Sequence, residues 1–504
     1  MSLAIVHTRA SSGIKAPPVT VEAHISNGLP SFSIVGLPET TIKESKDRVR
    51  SAILNSRFEF PARRITVNLG PADLPKEGSR FDLPIALGVL AATNQIPKDK
   101  LANFEFAGEL ALSGELRSTQ GMLPFALATR TTTRHLILPS ANSQEAALAS
   151  NICILPANHL LEVCSHLCGA KLLTQQTFPE LKKSYDYPMD MADVRGQMHA
   201  KRVLEVAAAG GHSLLLFGPP GTGKSMLATR LPTLLPLLSE EEAMEVAAII
   251  SISSNKFIAN DWRKRPFRSP HHSASSVAMV GGGSSPRPGE ISLAHHGVLF
   301  LDELPEFERR VLEALREPLE TGTVTISRAA RQAEFPAKFQ LVATMNPCPC
   351  GYLGDISGKC HCSSEQISRY RHRISGPLLD RIDMHIEVGR LPDGVLTAAY
   401  DTNNETSSTI RTRVQNARQK QLQRSEKINA ELKGKQLEEM CSLQMSDQTF
   451  VEQAIKQLGL SARAYHRILR VARTIADLAD SSEITNAHLT EALSYRCFER
   501  QKFG

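Results

Sequence analysis

Apolar and polar positions alternate with a period of two in the first third of the chain, then give way to longer apolar runs. Val19–Ile25 places every second side chain on one face, as a half-buried strand does. Phe32–Val35 and Arg64–Leu69 follow the same pattern. Phe104–Leu112, His135–Leu138 and Asn151–Leu155 read as later strands. Thr41 and Glu44 have the spacing of a capping box, which predicts a helix to about Asn55. Asp82–Ala92 is nearly all apolar and carries Pro84 in its first turn, so it predicts a buried helix. Residues 1–170 therefore form a mixed α/β domain. Residues 171–192 lose periodicity around Gln175, Gln176, Pro179 and Pro188 and read as a linker.

A second pattern begins near 193. Ala200–Ala209 predicts a helix, Ser213–Phe217 a buried strand, and Met226–Leu231 another helix that Pro232 and Pro236 should break. Ser239 and Glu242 cap a further helix to about Ile252. Residues 256–296 are long, basic at Arg263, Lys264, Arg265 and Arg268, and glycine-rich at 281–283, which suggests a functional insertion. Gly297–Leu304 and Phe339–Asn346 are apolar strands that end in polar residues. Between them, Thr323–Phe335 alternates and then turns basic, predicting a hairpin with Arg328 and Arg331 near its tip, which either faces a pore and touches a polymer or is a solvated surface hairpin. The 193–392 stretch has the pattern of a parallel-sheet core. From 393 to 504, helical periodicity dominates after a polar stretch at 401–409.

The chemistry gathers at the ends of the apolar runs. Gly218, Pro219, Pro220, Gly221, Thr222, Gly223, Lys224 and Ser225 lie between a strand and a helix, the setting of a phosphate-binding loop. Lys224 is expected on the β/γ-phosphates and Ser225 on Mg²⁺. Asp302 is placed to hold Mg²⁺ through water, and Glu303 to orient or deprotonate the attacking water. Asn346 can bond the γ-phosphate or the lytic water. Arg381 suits a finger reaching a neighbouring subunit, with Arg369, Arg371 and Arg373 as alternatives. Arg463, Arg467 and Arg470 share one helix face, from which one could reach the nucleotide. Cys348, Cys350, Cys360 and Cys362 form two C-x-C pairs nine residues apart, able to supply four thiolates to Zn²⁺, with His361 as another ligand choice.

Composition narrows this picture without redirecting it. At 504 residues the chain exceeds what one core can hold, so about three domains are expected. No run reaches membrane-spanning length, and Met1–Arg9 lacks the basic-then-apolar order of a signal peptide. Nine cysteines, four of them within 348–362, suit a reducing cytoplasm. The net charge is +6, and Arg411–Lys435 alone carries eight Lys/Arg against two Glu, so 8 − 2 gives the whole excess. That stretch is either a phosphate-contacting surface or a solvated helix face.

Four runs carry a family resemblance: Phe267–His272 (FRSPHH), Pro288–His295 (PGEISLAH), Gly297–Phe307 (GVLFLDELPEF) and Met345–Gly351 (MNPCPCG). Together they resemble the ComM/YifB-type, magnesium-chelatase-like AAA+ ATPases of bacteria, over essentially the whole chain. The resemblance implies three parts: a Lon-protease/S5-like α+β domain, an AAA+ core with inserted hairpins and a C-terminal helical lid. It implies ATP and Mg²⁺ at Gly218–Ser225, Asp302 and Glu303. It makes Asn346 sensor 1, Arg381 the arginine finger and Arg463 the sensor-2 arginine. It also implies a cytoplasmic homo-hexameric helicase that migrates DNA branches when transforming DNA is integrated. The first domain departs from a Lon peptidase, because the nucleophile position holds Arg80 and the lysine position falls near Leu123. Ser79 offers a hydroxyl one residue away, without the lysine, so no peptidase activity is expected. A metal-insertion motor and a protease-linked unfoldase are the competing functions.

Overall fold

The computed structural model describes residues 2–177, 187–253, 261–283, 286–328, 331–355, 358–391 and 404–496. The chain divides into two units. One comprises Met1–Lys183, Glu240–Trp262 and Ala329–Phe335; the other comprises Ser184–Ser239, Arg263–Arg328 and Pro336–Gly504.

The first unit is built on a seven-stranded sheet. Its order is Ser31–Val35, Arg64–Gly70, Pro18–Ser26, Ser2–Arg9, Phe104–Phe106, His135–Pro139, Ile154–Ala157. Pro18–Ser26 pairs antiparallel with both of its neighbours, and the remaining pairs are parallel. The central strand Ser2–Arg9 has no counterpart in the sequence pattern. Ala4 and Val6 face the core, but Leu3 and Ile5 are apolar on the outer face too, which erases the alternation. Phe104–Leu112 is not one strand: it breaks after Phe106, and Glu109–Leu110 pairs instead with Leu116–Arg117. The last strand starts at Ile154 because Asn151 is in the left-handed region with φ +64°. Helix Thr40–Asn55 starts on Glu39, so Thr41 lies within its first turn and not at the expected cap position. Helix Asp82–Ala92 is buried along its whole length, as its composition predicts. It packs close to the sheet, since a Cβ on Gly88 would lie 3.0 Å from that of Ala23.

Chain order assigns helix Glu240–Ile252 to the parallel-sheet core, yet its contacts place it in the first unit. It is held at the position that resembles a peptidase site. Gly121 N–H donates to the Ser251 carbonyl at 2.8 Å, and Leu123 N–H donates to Ser251 Oγ at 3.3 Å. Ser251 also bonds the Glu145 carboxyl, which burial pushes up. Arg80 is buried and donates to the Gln120 carbonyl at 2.8 Å, and Ser79 Oγ bonds Glu109. No serine–lysine pair is formed at this position among the described residues.

The second unit holds a five-stranded, all-parallel sheet in the order Phe267–Arg268, Val298–Leu301, Gln340–Met345, Leu214–Phe217, Met384–Glu387. Its three inner strands are buried throughout, which is why they read as continuous apolar runs. Helices Met198–Gly210 and Lys224–Leu234 share one core with helices Ser407–Ser425, Gly434–Met440, Met445–Leu458, Ala462–Leu478 and Asn486–Ser494. Pro232 does not break its helix. It sits in the last turn of Lys224–Leu234, where it forfeits only the bond to the Ala228 carbonyl. The segment 261–296 carries short ordered elements, among them helix Ser276–Val280 and the pair Gly281–Gly282 with Arg287–Pro288.

Most of the cations in Arg411–Lys435 are engaged by the fold, while Lys435 stands 88% exposed. Arg413 pairs with Glu205 and Glu405, Lys420 with Asp480, and Arg424 with Asp477. Arg411 and Arg418 donate to the carbonyls of Thr233 and Ala208, at 2.8 and 2.7 Å. These charges fasten the C-terminal helices to their own unit.

Candidate functional site

The phosphate loop leaves strand Leu214–Phe217 and enters helix Lys224–Leu234, as the motif requires. Gly218 has no room for a side chain: a Cβ there would lie 2.3 Å from the Val388 carbonyl oxygen. Gly221 and Gly223 take φ of +78° and +87°, the left-handed turns that aim successive backbone N–H groups at one point. The Lys224 ammonium lies inside this loop. It donates to the carbonyls of Gly218 and Pro219, both at 2.8 Å, and to Asn346 Oδ1 at 3.3 Å. An ammonium has three N–H groups, so all are engaged. Burial lowers the Lys224 pKa.

Strand order explains how the other polar ends meet this lysine. Gln340–Met345 lies between the phosphate-loop strand and Val298–Leu301, with Phe217 opposite Met345 and Leu301 opposite Ala343. Asn346, Asp302 and Ser225 therefore converge. Ser225 Oγ donates to the Asp302 carboxylate at 2.9 and 3.2 Å. A hard divalent cation takes oxygen ligands, and this hydroxyl and carboxylate offer two of them side by side, leaving the rest to water and phosphate. Glu303 stands next, exposed, with its backbone left-handed at φ +54°. Two residues here escape sequence reasoning. Thr344, only 1% exposed, bonds both the Asp302 carboxylate and the Glu303 N–H. His272 Nδ1 lies 3.8 Å from Glu303 Oε2. The available signals were a hydroxyl one residue before the end of an apolar strand and the paired histidines of FRSPHH.

The arginines divide. Arg381 is 8% exposed, paired with Glu320 at 2.5 Å and bonded to the Pro377 carbonyl at 2.7 Å. Arg373 pairs with Glu306 at 2.9 Å, Arg371 donates to the Pro347 carbonyl at 3.3 Å, and Arg369 pairs with Glu365 at 3.0 Å on the surface. On helix Ala462–Leu478, Arg463 is exposed in the first turn. The other two members of its row serve the fold. Arg467 pairs with buried Asp383, and Arg470 donates to the Ala430 carbonyl at 2.8 Å. Burial pushes the Asp383 carboxyl up, but Arg467 and His212 overcome it and hold the group well below the usual carboxylate range.

Cys348, Cys350, Cys360 and Cys362 come together, with sulfur atoms within 4.8 Å of one another. Three of the separations are 3.3, 3.6 and 3.7 Å. A tetrahedral ion with Zn–S bonds of about 2.3 Å needs sulfurs about 3.8 Å apart, so the cluster fits one Zn²⁺. The Tyr352 N–H, with help from the neighbouring thiols, draws Cys350 down to about 6. The loop abuts the phosphate loop: a Cβ on Gly351 would lie 2.9 Å from Pro220 Cδ. Strands Thr323–Arg328 and Arg331–Pro336 pair as the expected hairpin. Its tip and the side chains of Arg328 and Arg331 lie outside the described residues.

Residues 190–396 match the family model "Magnesium chelatase, subunit ChlI", residues 21–142 match "Subunit ChlI of Mg-chelatase", and residues 404–496 match its C-terminal model. The chain is 53% identical to competence protein ComM of Haemophilus influenzae over 504 residues, covering 99% of this chain and 98% of ComM. It belongs to the ComM/YifB-type, magnesium-chelatase-like AAA+ family. YifB of Escherichia coli is 52% identical over 99% of this chain and 98% of its own length. The magnesium-chelatase 38 kDa subunit of Cereibacter sphaeroides is 26% identical over 32% of this chain and 53% of its own length. Membership of this family implies ATPase activity with ATP and Mg²⁺, and the assembled loop, hydroxyl and carboxylate suit both. Among the described residues, no helix is long and apolar enough to cross a membrane.

Proposed function

We propose that this ATPase is a DNA translocase of the cytoplasm, working as a homo-hexameric ring that drives branch migration when transforming DNA is integrated. The observation that carries this reading is full-length similarity to a protein named for competence, joined to a complete phosphate-loop pocket. Lys224 exchanges its loop carbonyls for the β/γ-phosphates. Ser225 and Asp302 hold Mg²⁺, Glu303 activates water, and Asn346 orients it or bonds the γ-phosphate. Arg381 leaves Glu320 for the γ-phosphate bound by the neighbouring subunit, so hydrolysis registers assembly. Arg463 reaches the nucleotide from the lid. Arg328 and Arg331, at the hairpin end, contact DNA phosphates. The four cysteines hold a structural Zn²⁺.

A metal-insertion motor is the second reading, favoured by the match to the magnesium-chelatase subunit. That match leaves two thirds of the chain unaccounted for. The discriminating experiment measures ATP turnover and strand displacement on forked and four-way DNA across a salt series. Stimulation by branched DNA is expected, with log affinity falling by about 0.9 per duplex phosphate contact for each log unit of salt. Full-rate turnover by a monomer, indifferent to any polynucleotide, overturns the proposal.

A further inference from the structure

We propose that Thr344 positions both acids of the site, orienting the Asp302 carboxylate for Mg²⁺ and fixing the backbone on which Glu303 stands. The inference rests on the assignment of Asp302 and Glu303 above.

The strand register puts Thr344 where it can do this. Leu301 pairs with Ala343, so Thr344 lies one step further, level with Asp302, while its other edge pairs with Leu216 of the phosphate-loop strand. A threonine hydroxyl has one proton to give and lone pairs to receive. Here the proton goes to Asp302 Oδ1, and the Glu303 N–H donates to Thr344 Oγ1 at 3.1 Å. The opposite oxygen, Asp302 Oδ2, accepts from Ser225 Oγ at 2.9 Å. Ser225 Oγ also lies 3.2 Å from Oδ1, so two hydroxyls from different elements bear on the carboxylate and together fix its orientation.

Glu303 needs a restraint of its own. It is a non-glycine residue at φ +54°, ψ +52°. The left-handed region is unfavourable for such a residue, because its Cβ crowds the following carbonyl oxygen. Strain of this kind persists only where neighbours over-determine it. The bond to Thr344 fastens the N–H side of the residue. The Glu303 carbonyl, accepting from Glu306 N–H at 2.8 Å, fastens the other. Together they turn the chain sharply at the strand end and leave the carboxylate facing outward, with a side chain 54% exposed.

Thr344→Val keeps the branched shape and removes both bonds. Thr344→Ser keeps the hydroxyl and removes a methyl group. The full-length chain is assayed for ATP turnover against Mg²⁺ concentration, and for affinity toward a fluorescent ATP analogue, with Glu303→Gln alongside. A hydrogen bond to a charged group contributes about 1.5–3 kcal/mol, so Thr344→Val should lower kcat at least about tenfold and raise the Mg²⁺ half-saturation point. Analogue affinity measured in EDTA, where Mg²⁺ does not couple to it, should stay within about twofold, because the phosphate loop is untouched, and Thr344→Ser should recover most of the rate. Wild-type kcat and Mg²⁺ dependence in Thr344→Val overturn the inference. So does equal impairment of Thr344→Ser, or loss of analogue affinity in step with kcat, since each means packing and not the hydroxyl. Full turnover by Glu303→Gln would instead remove the assignment on which the inference rests. An inactive Glu303→Gln beside a normal Thr344→Val would refute the role of Thr344 alone.

Discussion

The ion pair between Arg467 and Asp383 gives the sharpest test of how the C-terminal helices are fixed. The Asp383 side chain is 6% exposed and that of Arg467 14% exposed. The same carboxylate accepts the Ser213 N–H at 3.0 Å, at the foot of the phosphate-loop strand, and His212 Nδ1 lies 3.8 Å away. Arg467→Ala leaves this carboxylate buried without its main counter-charge. Removing one partner of a buried pair costs about 3–5 kcal/mol, and the residual access of water to Arg467 argues for the lower end. For the second unit, about 3 kcal/mol corresponds to roughly 5 °C in Tm, read by calorimetry. The sign of the pH dependence follows from the depressed carboxyl. Its stabilisation is present above the unfolded pKa of about 3.9 and is lost as pH falls through the folded value. Without Arg467 the folded pKa rises from its depressed value, while His212 and Arg470 still favour the charged form. The gap between wild type and Arg467→Ala should therefore be widest at pH 7 and shrink on acidification. The double variant Asp383→Asn/Arg467→Met should recover most of the loss. A Tm within about 1 °C of wild type for Arg467→Ala, or a gap that widens on acidification, would refute the reasoning.

Three further outcomes are expected. Lys224→Ala should keep the fold, checked by circular dichroism, and lose analogue binding at least about tenfold, because the charged contact to phosphate disappears. The purified chain should contain one zinc per protomer by metal analysis, and Cys360→Ser should abolish it while lowering thermal stability. Glu145→Ala leaves Leu123 N–H and Ser251 Oγ with one partner fewer, so Gly121–Leu123 and helix Glu240–Ile252 should gain hydrogen-exchange rate together, by about tenfold or more.

Much of the site was legible because its chemistry is local in sequence. A strand, a glycine turn and a lysine–serine pair lie within a dozen positions, and their backbone needs leave few residue choices. The apolar runs ending in Asp302 and Asn346 were readable for the same reason: a parallel strand buried on both faces is mostly apolar, so a charged or amide side chain just past its end stands out. The arginines were not readable this way. Helical spacing put Arg463, Arg467 and Arg470 on one face, but Asp383, far away in sequence, decides that Arg467 belongs to the fold. The basic run Arg411–Lys435 looked like an uncompensated charge because its acidic partners, Glu205, Asp477 and Asp480, are distant along the chain.

By itself, then, the sequence determined the polar ends of the site strands, the phosphate loop, the buried helix Asp82–Ala92, the thiol pairs and the family. Those depend on periodicity, turn chemistry and residue identity within short windows. Only the tertiary structure decided that Gln340–Met345 separates the other two site strands, which puts Thr344 beside both acids. It also decided that Glu240–Ile252 packs in the first unit and that Arg381 rests on Glu320. Each is a long-range pairing set by burial and charge neutralisation, and no short stretch of sequence carries the identity of a partner dozens of residues away.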